Sequence, residues 1–359
     1  MYKNIKNVPH YMLGSGASAQ LGDFLAPLRS NNAPPVLFID QYFTGKNLDA
    51  RLNLDPGDHI IYVDTTREPA VEDIDSHTDA LKAKLDGKLP CAVVGVGGGA
   101  TMDTAKAVAN MLTNPGKAAD YQGWDLVKNA PPHKIAVPTL AGTGAESSRT
   151  CVLTNMAKRL KMGMNSDLTM FDQIILDPEL TRTVPRDQFF YTGMDTFMHC
   201  FESRRGKYRH VIVDALSLTA IRMSEEIFLD SGDMMHDANL EKMMICSYLG
   251  GMAAGNTGLV HPFSAGLSIV LHLPHGKANC YALRVLGEFY PEEHAQFTAM
   301  MRKQRVSLPT GICNGLSPEQ LDMLYQGTIV HEKPLSNALG ADFKKILAKE
   351  RVIDLFQRM

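Results

Sequence analysis

The sequence lacks the paired cysteines on which disulfide frameworks and zinc knuckles are built. Its six cysteines are scattered along 359 residues, and no two of them form a Cys-x-x-Cys pair. Both kinds of site use cysteines at short, regular spacings. We therefore expect free thiols that lie mostly in the core.

Also missing are an excess of either charge and any apolar run long enough to cross a bilayer. The formal net charge is -3, which gives no general reason to expect nucleic acid or an anionic membrane as a partner. A membrane-spanning helix needs about 20 apolar residues, and residues 1–7 lack the apolar segment of a signal peptide. We expect a cytoplasmic protein that binds neither nucleic acid nor a membrane.

The length and the pattern of apolar residues predict two domains. A chain of 359 residues is longer than one hydrophobic core usually serves. Strands and helices alternate up to residue 178, and beyond it apolar residues recur at intervals of three and four, as in helices. The prediction is an α/β nucleotide-binding domain with a parallel sheet over residues 1–178 and an all-helical metal-binding domain over 179–359.

Short apolar runs predict buried strands in the first half of the chain. They cover residues 35–40, 59–64, 91–96 and 134–138. Helices are predicted between them, at about 71–85 and at 101–112. This alternation is typical of a parallel α/β sheet.

A run of glycines follows the third predicted strand. These residues are Gly97, Gly98 and Gly99. They expose backbone N–H groups to which a pyrophosphate can bind, and the positive end of helix 101–112 faces the same anion. The spacing of Gly95, Gly97 and Ala100 fits the loose dinucleotide fingerprint, but no acid follows at a strand end about twenty residues later, so this match alone is weak.

Other residues near strand ends could contact a dinucleotide. Asp40 ends the first predicted strand, where an acid can bind the ribose hydroxyls and favour NAD over NADP, although aspartate is also a common turn residue. In the helix after the glycines, Asp103 is interpreted as ordering the loop, and Lys106 is left open between a loop contact and a solvated face. Small and hydroxylated residues after the fourth strand form a crevice wall of the kind that binds ligands. They include Thr139, Leu140 and Thr143.

The second half contains a candidate metal site. Asp195 and His199 are four residues apart, so on a helix they lie on one face. The residues around them are apolar, and buried polar groups need partners. His261 and His275 could complete the site, because one carboxylate and three imidazoles suit zinc, iron(II) or a similar metal. The alternative is a surface pair or a core histidine with ordinary hydrogen bonds.

Taken together, these motifs resemble the group III, or iron-containing, alcohol dehydrogenases. The matching stretches run in family order over residues 97–106, 138–146, 176–180, 192–195 and 274–279. The family's ligands are an aspartate, a histidine four residues later and two histidines fourteen apart. They fall on Asp195, His199, His261 and His275. The resemblance also implies that Lys161 lies near the nicotinamide ribose and that the protein is a homodimer.

The reaction that the resemblance implies is oxidation of a primary alcohol to an aldehyde. The metal, Zn²⁺ or Fe²⁺, would act as a Lewis acid on the alcohol oxygen, and the hydride would pass to NAD or NADP. Within the family, the chain most resembles members that oxidise C8 of 3-deoxy-manno-octulosonate. That substrate is an anionic sugar acid, and the aldehyde product would be used by a partner aminotransferase.

Several alternatives remain open. The substrate could be a small neutral alcohol or diol, or electrons could pass to oxygen. A reaction like that of dehydroquinate synthases would use NAD only transiently. A protein that binds metal and nucleotide without chemistry is the non-enzyme alternative.

Two departures from the family pattern concern the substrate. Ala265 stands where relatives commonly have a histidine assigned to proton relay, for which His272 or a water chain could substitute. A basic cluster follows the metal-binding helix, and arginine is suited to bidentate binding of a carboxylate. Our hypothesis is that some of these arginines bind the substrate carboxylate; the alternative is a solvated face. The residues are Arg204, Arg205 and Arg209.

Overall fold

The computed structural model describes residues 6–31 and 33–359. The chain divides into two compact units. Unit 1 comprises the chain up to Leu140 together with Ala145–Met156 and Met162–Thr183. Unit 2 comprises Ala141–Gly144, Ala157–Lys161 and Val184–Met359. The predicted boundary after residue 178 lies shortly before the last passage from unit 1 to unit 2.

The strands of the described chain are numbered in order. They are β1 (His10–Leu13), β2 (Val36–Asp40), β3 (His59–Val63), β4 (Ala92–Gly97), β5 (Gly123–Trp124), β6 (His133–Pro138), β7 (Thr150–Asn155), β8 (Leu160–Asn165) and β9 (Gln173–Leu176). Six of them form one sheet in the order β1-β9-β6-β4-β2-β3, and its pairings are parallel. The predicted parallel sheet is confirmed, and each predicted strand agrees with an observed one to within a residue or two.

Unit 1 surrounds this sheet with helices. They are α1 (Leu21–Leu25), α2 (Leu48–Arg51), α3 (Val71–Lys84) and α4 (Gly99–Thr113). Strand β4 is buried along its whole length, as expected of a central parallel strand covered on both faces. In the register between β4 and β6, Gly97 is paired with Pro138. The glycine loop and the segment that begins at Thr139 therefore leave the sheet at the carboxyl ends of neighbouring strands.

A second, three-stranded sheet in the order β5-β8-β7 was not predicted from the sequence. Strand β7 alternates half-buried and buried residues. Because its half-buried face carries polar side chains, β7 is not a continuous apolar run and was not predicted as a strand. Strand β8 contains Lys161, which was predicted as a site residue without any element around it.

Unit 2 is helical, as predicted. Its helices are α5 (Arg186–Arg205), α6 (Val211–Glu225), α7 (Asp237–Ala253), α8 (Val260–Leu271), α9 (His275–Val285), α10 (Pro291–Lys303), α11 (Pro318–Ile329), α12 (Glu332–Leu339), α13 (Phe343–Ile346) and α14 (Lys349–Gln357). Helix α5 is buried over most of its length. Among the described residues, no helix combines the length and apolarity needed to cross a membrane.

All six cysteines are free and buried, as expected. Burial disfavours the thiolate. It raises the pKa of Cys200 to about 12 and that of Cys313 to about 11, and it also holds the pKa of Cys280 well above its ordinary value.

Candidate metal centre

Helix α5 carries the first half of the candidate centre. Asp195 is fully buried and His199 is 6% exposed, and the distance from His199 Nε2 to Asp195 Oδ1 is 3.6 Å. Gly193 lets this helix pack closely on its neighbours, because a Cβ at that position would lie 2.4 Å from Phe228 Cζ. The buried position of both polar side chains therefore follows from the packing of the whole helix.

Helices α8 and α9 supply the other two histidines. His261 lies in the first turn of α8, with Nε2 3.3 Å from Asp195 Oδ1. His275 is the first residue of α9, with Nε2 3.8 Å from the same oxygen. Between the two helices, His272 adopts the left-handed conformation with φ 53°, which ends α8. Three imidazole nitrogens thus surround one carboxylate oxygen.

The arrangement fits a divalent cation. The ligand atoms of Asp195, His199 and His261 lie within 4.8 Å of one another, and the rings of His199 and His261 are stacked with centroids 4.4 Å apart. Among the described residues, Asp195 Oδ2 and His199 Nδ1 are buried without a hydrogen-bond partner. One carboxylate and three imidazoles are the donors that zinc and iron(II) accept.

The electrostatics of the cluster favour an ionised Asp195 and a neutral His199, whereas His261 must lose a proton before it can bind a cation. Burial alone would raise the pKa of Asp195, but the surrounding histidines hold it well below its ordinary value. Burial lowers the pKa of His199 to about 4, so its ring is neutral at neutral pH. Burial also acts to lower the pKa of His261, but its bonds to Asp195 and Glu202 outweigh this effect and raise the value to about 9. A cation would replace the proton on that ring, since metal ligands must be deprotonated.

Two residues that contact the centre were not predicted as site residues. Glu202 is fully buried, and its Oε2 lies 2.6 Å from His261 Nδ1. Asn279 donates a hydrogen bond of 2.7 Å to Asp195 Oδ1. A sequence signal existed for Glu202, because it lies three residues after His199, which itself lies four after Asp195, and these intervals keep residues on one helix face.

The predicted cofactor residues of unit 1 cluster at the carboxyl ends of β4 and β6. Gly97 ends β4 and Gly98 caps α4. A Cβ at Gly97 would lie 2.5 Å from Thr101 Oγ1 and one at Gly98 3.2 Å from Leu140. Thr139 N donates to Gly97 O at 2.9 Å. Gly97, Gly98, Gly99, Thr139 and Leu140 are therefore brought together, with the first turn of α4 beginning among them.

Other predicted residues of unit 1 have local partners. Asp40 Oδ1 accepts hydrogen bonds from Tyr42 N and Thr65 Oγ1 at 2.9 and 3.0 Å. Asp103 Oδ2 accepts from Val152 N at 2.9 Å, so it positions β7. The solvated-face alternative for Lys106 is wrong, because this side chain is fully buried. Its Nζ donates to carbonyl oxygens of Ala145, Ser148 and Thr150.

The remaining predicted cofactor residues lie in unit 2. Thr143 lies between two glycines that are held against helices α5 and α7. Gly142 O accepts from Thr196 Oγ1 at 2.5 Å, and Gly144 N donates to Ser247 Oγ at 3.1 Å. Lys161 is buried. Burial, together with the charges of Lys161 and His261, lowers the pKa of His331 to about 4, and this residue is half-buried in unit 2.

The three arginines of the substrate hypothesis do not form a common cluster. Helix α5 extends through Arg205, which is paired with Glu293 at 2.7 Å and with Glu292 at 2.5 Å. Arg209 is paired with Asp214 at 2.7 Å. Arg204 is half-buried, and its Nε has no hydrogen-bond partner among the described residues.

Unit 1 has a parallel α/β fold with a glycine loop, and unit 2 is helical with one aspartate and three histidines around a common point. These features define the class of metal-binding, dinucleotide-binding proteins. The chain belongs to the iron-containing alcohol dehydrogenase family. The model described as "Iron-containing alcohol dehydrogenase" matches residues 9–178, and the model of the family's C-terminal part matches residues 189–313.

Individual relatives agree with this assignment. The chain is 35% identical over 222 residues to a sulfoacetaldehyde reductase of Bilophila wadsworthia, which is 61% of this chain and 56% of the relative. It is 29% identical over 277 residues to an NAD-dependent methanol dehydrogenase of Bacillus methanolicus, covering 76% and 71% of the two chains. The chain thus spans little more than half the length of the first relative.

The fold also matches solved structures. The crystal structure of sulfoacetaldehyde reductase from Bifidobacterium kashiwanohense in complex with NAD+ superimposes with a TM-score of 0.78 at 22% identity, over 99% of this chain and 98% of that one. At this identity, the likeness concerns the fold.

Proposed function

We propose that the protein interconverts a primary alcohol and an aldehyde at a divalent metal ion, with NAD(H) as the hydride carrier. The observation that supports this most directly is the convergence of three histidine Nε2 atoms on Asp195 Oδ1, at 3.3, 3.6 and 3.8 Å. Family membership agrees with it, and so do relatives named as a reductase and as NAD-dependent and other alcohol dehydrogenases.

In this proposal the metal is held by four side chains. They are Asp195, His199, His261 and His275. A bound Zn²⁺ or Fe²⁺ supplies a Lewis acid that makes an alcohol easier to deprotonate. The protein contributes a buried carboxylate for charge balance and a neutral imidazole on His199, and Asn279 holds one oxygen of Asp195 in place.

Most of the proposed nucleotide-binding residues belong to unit 1, and Thr143 and Lys161 belong to unit 2. Gly97 and Gly98 would offer backbone N–H groups to a pyrophosphate beside the first turn of α4, whose own N–H groups and dipole favour an anion. Asp40 stands at the end of β2, where it would bind ribose hydroxyls and favour NAD over NADP. Thr139 and Leu140 border the same loop. Thr143 and Lys161 complete the predicted set.

For the substrate we propose C8 of 3-deoxy-manno-octulosonate, as in the 3-deoxy-manno-octulosonate 8-oxidases of lipopolysaccharide biosynthesis that the sequence resembles. A relative named for a sulfonated aldehyde agrees with an anionic substrate. The aldehyde product would be passed to an aminotransferase, and we expect a homodimer. Carboxylate binding by Arg204, Arg205 or Arg209 stays a prediction, and Arg204 is the member of the set without an ion pair among those described in the structure.

A small neutral alcohol is the second candidate substrate, which the NAD-dependent methanol dehydrogenase among the relatives favours. The deciding measurement is absorbance at 340 nm with zinc- or iron-loaded protein, NAD and either 3-deoxy-manno-octulosonate or 1,3-propanediol. NADH formed with the sugar acid alone supports the proposal. If only the diol reacts, the dehydrogenase stands and the sugar-acid substrate falls.

Two further results, read from the aldehyde and the bound metal in the same samples, would reject the proposed hydride transfer to free NAD. Aldehyde without net NADH would indicate an oxygen-linked or bound-cofactor reaction. Metal binding without turnover of any alcohol would indicate a catalytically silent protein.

The arginine hypothesis needs a separate test. Arg204→Ala is expected to raise KM for the sugar acid at least about tenfold, since a charge-assisted bond to a carboxylate contributes about 1.5–3 kcal/mol, and to leave KM for the diol unchanged. Arg205→Ala serves as the matched control, because its guanidinium is already bound to Glu292 and Glu293. Equal effects on both substrates would sink the hypothesis.

A further inference from the structure

A buried carboxylate lies behind the metal centre without belonging to the proposed ligand set. Glu202 is on α5, about one helical turn after His199, and is 1% exposed. An ionised group in this position requires hydrogen-bond donors from the protein. These donors come from the first turn of α8 and from the residue that precedes α10.

Three donors converge on the two oxygens of Glu202. Oε1 accepts from Val260 N at 2.7 Å and from the hydroxyl of Tyr290 at 3.1 Å. Oε2 lies 2.6 Å from His261 Nδ1. Gly258 permits this close approach, because a Cβ there would lie 2.8 Å from Glu202 Oε1.

The same carboxylate therefore binds both the start of helix α8 and the histidine in its first turn. Val260 is the first residue of α8, where free N–H groups and the helix dipole favour a negative charge. Because a carboxylate can only accept hydrogen bonds, the bond at 2.6 Å requires His261 Nδ1 to carry the proton. The other ring nitrogen, Nε2, then faces Asp195 Oδ1 at 3.3 Å.

We propose that Glu202 is a positioning residue of the metal centre, which fixes the tautomer and the ring orientation of His261 so that Nε2 is presented to the cation. This inference rests on the metal site proposed above and adds to it a second carboxylate outside the ligand set. Such outer partners hold ligand rings in register, and their loss typically weakens metal binding by about 10–100-fold.

An amide at position 202 cannot satisfy the three donors. If the side-chain oxygen in Glu202→Gln faced His261, the NH₂ group would face Val260 N–H, which is also a donor. If the amide were turned the other way, His261 Nδ1 would have to become the acceptor, and the proton would move to Nε2, the atom that binds the metal. The first arrangement keeps the proton on Nδ1 but places two donors against each other at the start of α8, which displaces the helix that carries His261. The second puts the proton on the nitrogen that binds the metal. Either change disturbs the presentation of Nε2, although the shape of the side chain is retained.

The test is zinc affinity, measured on the intact chain at one fixed pH by competition with a chromogenic chelator. Glu202→Gln is expected to bind Zn²⁺ about 10–100-fold more weakly than the wild type. Tyr290→Phe is the matched control, because it removes one donor to Oε1 and leaves the bond to His261; it should stay within about threefold of the wild type. Equal losses in the two variants, or none in Glu202→Gln, would overturn the proposal.

A second measurement needs no variant and remains decisive if Glu202→Gln fails to fold. In zinc-loaded wild-type protein labelled with [¹⁵N]histidine, His261 should show a protonated Nδ1 and a metal-bound Nε2. A metal-bound Nδ1 would refute the assignment. Neither experiment involves a substrate, so this inference can hold if no alcohol is turned over, whereas a wild type that binds no zinc would reject both it and the metal site.

Discussion

The side-chain amide of Asn279 donates a 2.7 Å hydrogen bond to Asp195 Oδ1, and both residues are fully buried. The same nitrogen is 3.3 Å from His275 Nε2. One carboxylate oxygen thus has a permanent neutral donor on one side and the three imidazoles on the others. The amide of Asn279 stabilises the buried negative charge of Asp195 without adding a charge of its own.

Asn279→Asp would place a second carboxylate against Asp195. In the metal-free protein we expect a loss of unfolding free energy of about 3–5 kcal/mol, the usual cost of an uncompensated buried charge. A divalent cation should restore much of it. Asn279→Ala is the control: it only removes a hydrogen bond, with an expected loss of about 1–3 kcal/mol. Thermal unfolding with and without Zn²⁺ measures both, and equal metal-free stability of the two variants would contradict the prediction.

A methyl group at Gly144 should disrupt the loop that carries Thr143. Gly144 has φ +65°, and an added Cβ would lie 2.3 Å from Gly251 Cα. Gly45 has φ +73° with open space around it, so Gly45→Ala isolates the backbone strain. We expect about 1–2 kcal/mol for Gly45→Ala and more than about 3 kcal/mol for Gly144→Ala, where overpacking adds to the strain. Urea unfolding measures the free energy of unfolding of the two variants. Similar losses in both would contradict the prediction, because they would mean that helix α7 moves to accommodate the added methyl group.

Replacing Lys106 by methionine should destabilise unit 1. The ammonium group is buried and donates to Ser148 O at 2.9 Å and to Thr150 O at 2.8 Å. Methionine leaves these carbonyls without a donor, and we expect a loss of about 3 kcal/mol or more. Lys82→Met on the exposed face of α3 should change stability by less than about 0.5 kcal/mol. If both variants unfold at the same urea concentration, Lys106 does not hold the 145–150 segment in place.

Stability should fall in mild acid because of His331. Its folded pKa is lowered to about 4 from the ordinary 6.5, chiefly by burial. Between these two pKa values, His331 carries a proton in the unfolded chain but not in the folded chain. Its contribution to the free energy of unfolding is therefore complete above pH 6.5 and is lost as the pH falls towards 4. Relative to His331→Gln, the metal-free wild type should lose up to about 3 kcal/mol over this range. A difference that does not vary with pH would refute this.

The sequence was sufficient to predict those parts of the fold that depend on local pattern. Apolar runs gave the strands around Gly97 and Pro138 correctly, since a central parallel strand is hydrophobic throughout. The spacing of Asp195 and His199 was enough to bring them together on a helix. Strands β7 and β8 were missed because their partly polar sequences do not stand out without the sheet that pairs them.

Interactions between distant segments could not be predicted in this way. From the sequence, Lys106 stayed open between a loop contact and a solvated face, because the carbonyls that bind it belong to residues about forty positions away. Glu202 shares a helix face with His199, but its role could not be predicted, because its donors come from residues some sixty and ninety positions away. The acids that pair with Arg205 lie on α10 and come close to it only through helix packing.

The reactivity of the six buried thiols can be used to follow unfolding of the protein. Since burial raises the pKa of Cys200 to about 12 and that of Cys313 to about 11, an aromatic disulfide reagent should find almost no thiolate in the native chain. Each thiol that reacts would then record an opening of the segment around it. Cys200 and Cys280 lie on α5 and α9, two of the helices that bear the proposed ligands. Their rate of modification would therefore measure local opening of these helices without any substrate.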